Sequence, residues 1–202
     1  MGPDVAVGVK GVKWRAHEYD VEIVQDLDPA RLATLSDAVA EEASETGYLA
    51  GNKMYSEMRG FTWEEVASAL AIERAVIARL QLADDLDAEA AKWDDERFHA
   101  TEFEDELWGL DVGVASATIA LSALGAIPVG SCNAGGFGGH HQAKHPYVAF
   151  YASASVADGI LKAATVAQVG LTVGDDGIAR IYGRSDLDLV RFAETALSQH
   201  PH

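Results

Sequence analysis

The chain has 202 residues, about half of them apolar, and carries 32 acidic side chains against 15 basic ones for a formal net charge of −17. That surplus disfavours direct binding to nucleic-acid phosphates, because the densest basic set, Lys10, Lys13 and Arg15, is small, and it favours a basic protein as partner. No apolar run is long enough to span a bilayer, the N-terminus lacks the pattern of a signal peptide, and one cysteine cannot form an internal disulfide, so a cytoplasmic, membrane-free protein is expected.

Val5–Val9 and Val12–Trp14 have strand composition. Residues 17–24 alternate, with His17, Tyr19, Val21 and Ile23 on one face and Glu18, Asp20 and Glu22 on the other. This predicts a half-buried strand paired in a hairpin with residues 4–14, and His17 is expected to pack rather than ligate. Asp28-Pro29 opens a helix with Asp as N-cap and Pro at N1. Its stripe is Leu32, Leu35, Val39 and Ala43, and Gly47 ends it. Residues 48–60 read as a loop or short helix, with Met54 and Met58 as packing residues. Thr62-Trp63-Glu64-Glu65 is a capping box that starts a helix through Val66, Leu70, Val76, Ile77 and Leu80.

From Asp84 to Glu106 there are eleven acids against Lys92 and Arg97. Leu86, Ala90, Trp93 and Phe103 still make an apolar stripe, which predicts a helix with a solvated acidic face. Residues 113–124 are small and apolar, a buried helix stopped by Gly125. Ile127–Cys132 and Tyr147–Tyr151 are strands, with Pro128 suited to a strand start or a sheet edge. Residues 156–169 form an amphipathic helix closed by Gly170. Leu171–Val173 and Ile178–Tyr182 flank the turn Gly174–Gly177. Ser185–Asp188 caps a last helix through Leu197, with Asp186 and Asp188 in the first turn where the helix dipole favours them. His200 and His202 fall at a frayed end.

The expected class is α+β. One domain, residues 1–202, has a soft boundary near Gly109. Residues 1–109 are mainly helical with the N-terminal hairpin. Residues 110–202 run α-β-β-α-β-β-α, with a mixed or antiparallel sheet backed by helices.

Reactive residue types converge between the two central strands. Cys132, His140, His141 and His145 lie within fourteen positions, in a loop that also holds Gly135, Gly136, Gly138 and Gly139. Three motifs fail there. The phosphatase pattern Cys-x5-Arg has Gly138 at its arginine position. The two-histidine spacing His141–His145 has Gln142 where a zinc protease helix needs Glu. The glycines miss the dinucleotide fingerprint, because its third glycine falls on His141. Thiolate and imidazole together still suit zinc or a similar transition metal, and Cys132 with His140 could act as nucleophile and base. The bland alternative is an inert buried cysteine beside solvated histidines. A weaker set, Asp95, His99, Glu102 and Glu106, falls on one helical face, although a segment this acidic aligns carboxylates with His99 by chance.

The leading expectation is therefore an acidic binding or regulatory protein, of immunity, antitoxin or accessory type, acting through contacts with a basic protein. Trp93, Phe98, Phe103 and Trp108, interleaved with acids, are candidate anchors. The alternative is a metal-binding protein or Cys–His enzyme centred on residues 132–145.

Overall fold

The computed structural model describes residues 17–25, 28–46, Tyr55, 58–99, 107–138 and 143–200. Among them are seven α-helices: α1 (Pro29–Leu32), α2 (Asp37–Thr46), α3 (Trp63–Leu82), α4 (Leu86–His99), α5 (Ala115–Ala123), α6 (Ala154–Ala167) and α7 (Asp188–Ser198). Four strands, β1 (Ile127–Cys132), β2 (Tyr147–Tyr151), β3 (Gly170–Val173) and β4 (Ala179–Tyr182), form an antiparallel sheet of order β1-β2-β4-β3. The class is α+β, with the sheet in the C-terminal half and a mostly helical N-terminal half. From α5 onward the order is the expected α-β-β-α-β-β-α.

The residues explain the centre of the fold. In α5 every residue from Ala115 to Ser122 is buried. A helix apolar on all sides cannot face water, and α5 packs between α3, α7 and the sheet. Val148, Ile181 and Leu171 pair across three strands on the helix-facing side, and Phe150 pairs with Ala179 beside them. Phe150, Ile160 and Phe192 lose all solvent contact, each worth about 1.5–3 kcal/mol of burial. One core cluster includes residues on both sides of Gly109. Pro128 lies in β1, an edge strand, where the register shifts between Pro128 and Gly130. A residue without an N–H is tolerated there.

Other expectations change in detail. The helix opened by Asp28 breaks after Leu32. Asp28 does accept from the Ala30 N–H at 2.9 Å, but Leu35 bridges to Ser153 and donates to the Ala152 carbonyl. A second helix then starts, with the Ser36 hydroxyl accepting from Val39. Val39 is consequently 41% exposed rather than part of a stripe. The Thr62–Glu65 box forms in both directions. Helix α6 is closed by Gln168 in the left-handed conformation, not by Gly170. Gly170 instead lies in β3 opposite Tyr182, whose ring occupies the space that a side chain at 170 would need.

Residues 17–25 form no regular strand. They make single bridges, Glu18 to Ser185 and Gln25 to Leu171, and run as a strap on the side of the sheet opposite α5, where Val21 lies beside Tyr147 and Tyr182. The alternation survives, with Tyr19, Val21 and Ile23 half-buried and the residues between them exposed. The partner arm proposed at residues 4–14 lies outside the described residues, as do Met54 and Phe103. No helix among the described residues is long and apolar enough to cross a membrane.

Candidate functional site

Cys132 ends β1 and is only 3% exposed. Its sulfur accepts from the Ala134 N–H at 3.4 Å. The loop that follows is tightly wound. Ala134, Gly135, Phe137 and Gly138 all have positive φ, between 55° and 87°. Asn133, almost fully buried, holds this shape: its amide donates to the carbonyls of Val112 and Gly136, and its side-chain oxygen accepts from the Gly135 N–H. A single 310 turn, Gly136–Gly138, then packs against α4. At Gly138, with φ +87°, a Cβ would come within 2.3 Å of the Ala90 Cβ. Glycine is required there by space as well as by dihedral angle.

Asp186 closes the other side of the loop. Its carboxylate accepts from the His17 backbone N–H at 2.9 Å and from the Tyr19 hydroxyl at 2.6 Å. A Cβ on Gly136 would meet that carboxylate at 2.5 Å, so the loop backbone lies directly against it. Burial, then the hydrogen bond and charge of Asp186, and finally Cys132 raise the Tyr19 phenol well above its ordinary range. Asp186 thus serves the strap rather than the first turn of α7. That turn belongs to Asp188, which accepts from the N–H groups of Arg184 and Ser185 and from the Ser185 hydroxyl. His17 is exposed and sets its ring edge-on to Tyr19 at 4.7 Å, so it is not the packed histidine expected. His17, Tyr19, Leu86, Phe137 and Asp186 line a shallow groove of about 350 Å³.

His145 stands elsewhere on the same side of the sheet. Tyr147 pairs with Cys132 in β1 and with Tyr182 in β4, and His145 tilts its ring toward Tyr182 at 5.0 Å. Tyr147 therefore separates the strand position of Cys132 from the ring that His145 meets. Burial first, and the Lys144 charge second, hold the His145 pKa below its ordinary value. His140 and His141 lie outside the described residues, as do Glu102, Glu106 and the His99 side chain. Asp95 is an exposed residue of α4. Among the described residues, no group of three His, Cys, Asp or Glu side chains is placed to hold a metal ion.

The acidic helix is partly neutralised from below. Arg79 of α3 bonds Glu89 at 2.5 Å and Glu96 at 2.7 Å, and Lys92 lies about 4 Å from both carboxylates. Trp93 is half-buried, its ring about 6 Å from the guanidinium groups of Arg79 and Arg97. It is a packing residue of this corner. Trp108 is more exposed and meets Phe61 edge-on. Past the reach of Arg79, the link from α3 to α4 presents exposed Asp84, Asp85 and Asp87 beside Leu82, 63% exposed, and Leu86, 36% exposed.

The roles of two buried carboxylates escaped the sequence reading. The bonds of Asp186 to the strap left no trace, because the residues it binds are almost the whole chain away. Glu73 left one: it falls in the apolar stripe of α3 between Leu70 and Ile77, where a solvated charge does not belong. It is fully buried. Its carboxylate accepts from the N–H groups of Gly113, Ala115 and Ser116, and from the Ser116 hydroxyl, and so caps α5 from a neighbouring helix. Burial pushes its pKa up, and the four donors offset only part of that.

Comparisons of the chain with protein-family models, with curated proteins and with solved structures find no match.

Proposed function

We propose that this is a binding protein that engages a basic protein partner through the corner between α3 and α4. The observation that supports this reading is the coincidence of exposed leucines with exposed acids: Leu82 and Leu86 alternate with Asp84, Asp85, which also accepts from the Ala88 N–H, and Asp87. Isolated surface leucines are ordinary. Two of them set among carboxylates and opening onto a groove that Leu86 itself lines offer apolar area for affinity and charge for steering. A partner that presents Lys or Arg around an apolar anchor complements this surface.

The test is affinity capture with the wild-type chain and with a Leu82→Ser/Leu86→Ser variant at about 50 mM and about 500 mM salt, conditions that shorten the Debye length severalfold. A partner retained by wild type at low salt, and lost both at high salt and on the leucine variant, supports the reading. A partner that the variant holds equally well, or no retained partner, overturns it.

A further inference from the structure

The side of the sheet opposite α5 carries a second, larger concavity that the proposed partner surface does not use. It encloses about 540 Å³, and Lys144, His145, Tyr147, Thr172, Arg180 and Tyr182 line most of it. That size suits a small organic ligand. Its position follows from strand register. Tyr147 and Tyr182 share one outward rung of the sheet, and Arg180 and Thr172 share the next.

The floor is rigid for a specific reason. Gly170 faces Tyr182 in the register, and a Cβ there would come within 2.2 Å of the Tyr182 ring, so the ring lies across bare backbone. The Tyr182 hydroxyl is tied to the strap at both roles: it accepts from the Val24 N–H at 2.9 Å and donates to the Glu22 carbonyl at 3.1 Å. A ring anchored at its base and its tip forms a fixed plane, and fixed planes lower the cost of ordering on binding.

The charge of the lining opposes that of the chain. The whole molecule carries −17, yet the concavity is lined by Lys144 and Arg180, with no carboxylate among its described lining residues. The cations stand on opposite sides of the tyrosine rung, Arg180 two residues along β4 and Lys144 ahead of β2. Arg180 is bound to Asp176 on one side at 3.1 Å, a half-exposed pair. Such exposed pairs contribute little and exchange readily.

We propose that this concavity binds a small aromatic carboxylate, its ring against the half-buried Tyr147 beside the largely covered Tyr182 and its charge on Arg180 or Lys144. A planar anion uses both features of the lining. A neutral ring would leave the cations unused, and a bare inorganic anion would leave the aromatic floor uncovered.

The probe is 2-naphthoate, followed by its own fluorescence, with 2-naphthamide as the neutral counterpart. Naphthoate is expected to saturate the wild-type protein. The amide, and the Arg180→Gln/Lys144→Gln variant with naphthoate, are expected to bind about tenfold more weakly, the scale of one lost charge-assisted contact. Tyr147→Ala is expected to weaken both probes alike. Unfolding midpoints of all variants separate lost binding from lost fold. Equal binding of acid and amide, binding unchanged by Arg180→Gln/Lys144→Gln in a folded protein, or no saturable binding overturns the proposal. None of these results depends on the leucine corner.

Discussion

Replacing Glu73 tests the account of the core most directly. Its carboxylate is the cap of α5, a helix whose own N-cap residue, Val114, offers no side-chain acceptor. Glu73→Ala strands the N–H groups of Gly113, Ala115 and Ser116 where water does not reach, and it leaves a cavity. A buried donor without a partner costs about 1–3 kcal/mol, and such losses are not fully additive, so the total is about 3–5 kcal/mol. Against a typical stability of about 5–15 kcal/mol that is a severe loss. Glu73→Gln is milder. Its carbonyl oxygen can keep the Gly113 and Ala115 donors, but its NH₂ then faces the Ser116 N–H, for a penalty of about 1–3 kcal/mol.

The pH dependence sharpens this test. The raised pKa means that folded Glu73 keeps its proton to higher pH than the unfolded chain, whose glutamates titrate near about 4.3. Its contribution is complete below that value and declines as pH rises through the folded one. Gln does not titrate, so the stability gap between wild type and Glu73→Gln should narrow as pH rises above the unfolded value. Urea unfolding over that rise in pH measures it. A gap that widens would mean that the four donors outweigh burial. A Glu73→Ala protein within about 1 kcal/mol of wild type would refute the capping role itself.

Three further outcomes follow from the loop and the strap. Cys132, at 3% exposure, should react with a disulfide reagent far more slowly in the native protein than in urea; labelling at equal rates would place the thiol at the surface. Gly138→Ala should lower stability by at least about 2 kcal/mol in thermal or urea unfolding, because the new Cβ meets Ala90 and φ is left-handed, and a neutral result would mean that the 310 turn does not press on α4. Tyr19→Phe should cost about 1 kcal/mol through the lost bond to Asp186 and speed hydrogen exchange in residues 17–25. Unchanged exchange there would show that the strap is held by its backbone bridges alone.

The elements that were legible in the sequence are those whose signal is local. The Thr62–Glu65 box, the stripe of α3, the small apolar run of α5 and the Gly174–Gly177 turn each depend on residues a few positions apart. Both central strands, Ile127–Cys132 and Tyr147–Tyr151, emerge with the expected bounds. The first helix misled because a periodic stripe cannot report that Leu35 will bond to Ala152, a contact made only once α6 is in place. The strap misled similarly. Its alternation correctly placed Tyr19 and Val21 inward, and among the described residues the surface they meet is the far end of the chain.

The candidate site divides along the same line. Residue type marked Cys132 and His145, and strand periodicity put them near one sheet. Register then set Tyr147 between them, and register is a property of paired strands. The bond of Asp186 to Tyr19 and the four donors gathered by Glu73 span distances in the chain over which no pattern carries. By itself, then, the sequence determined the class of fold, the order of helices and strands from α5 onward, and an acidic composition, because helix, strand and charge are encoded residue by residue. The tertiary structure alone decided which carboxylates are buried, what the strap lies against, and that cations and tyrosines share one concavity. Those outcomes depend on desolvation and close approach between segments that meet only when the whole chain is folded.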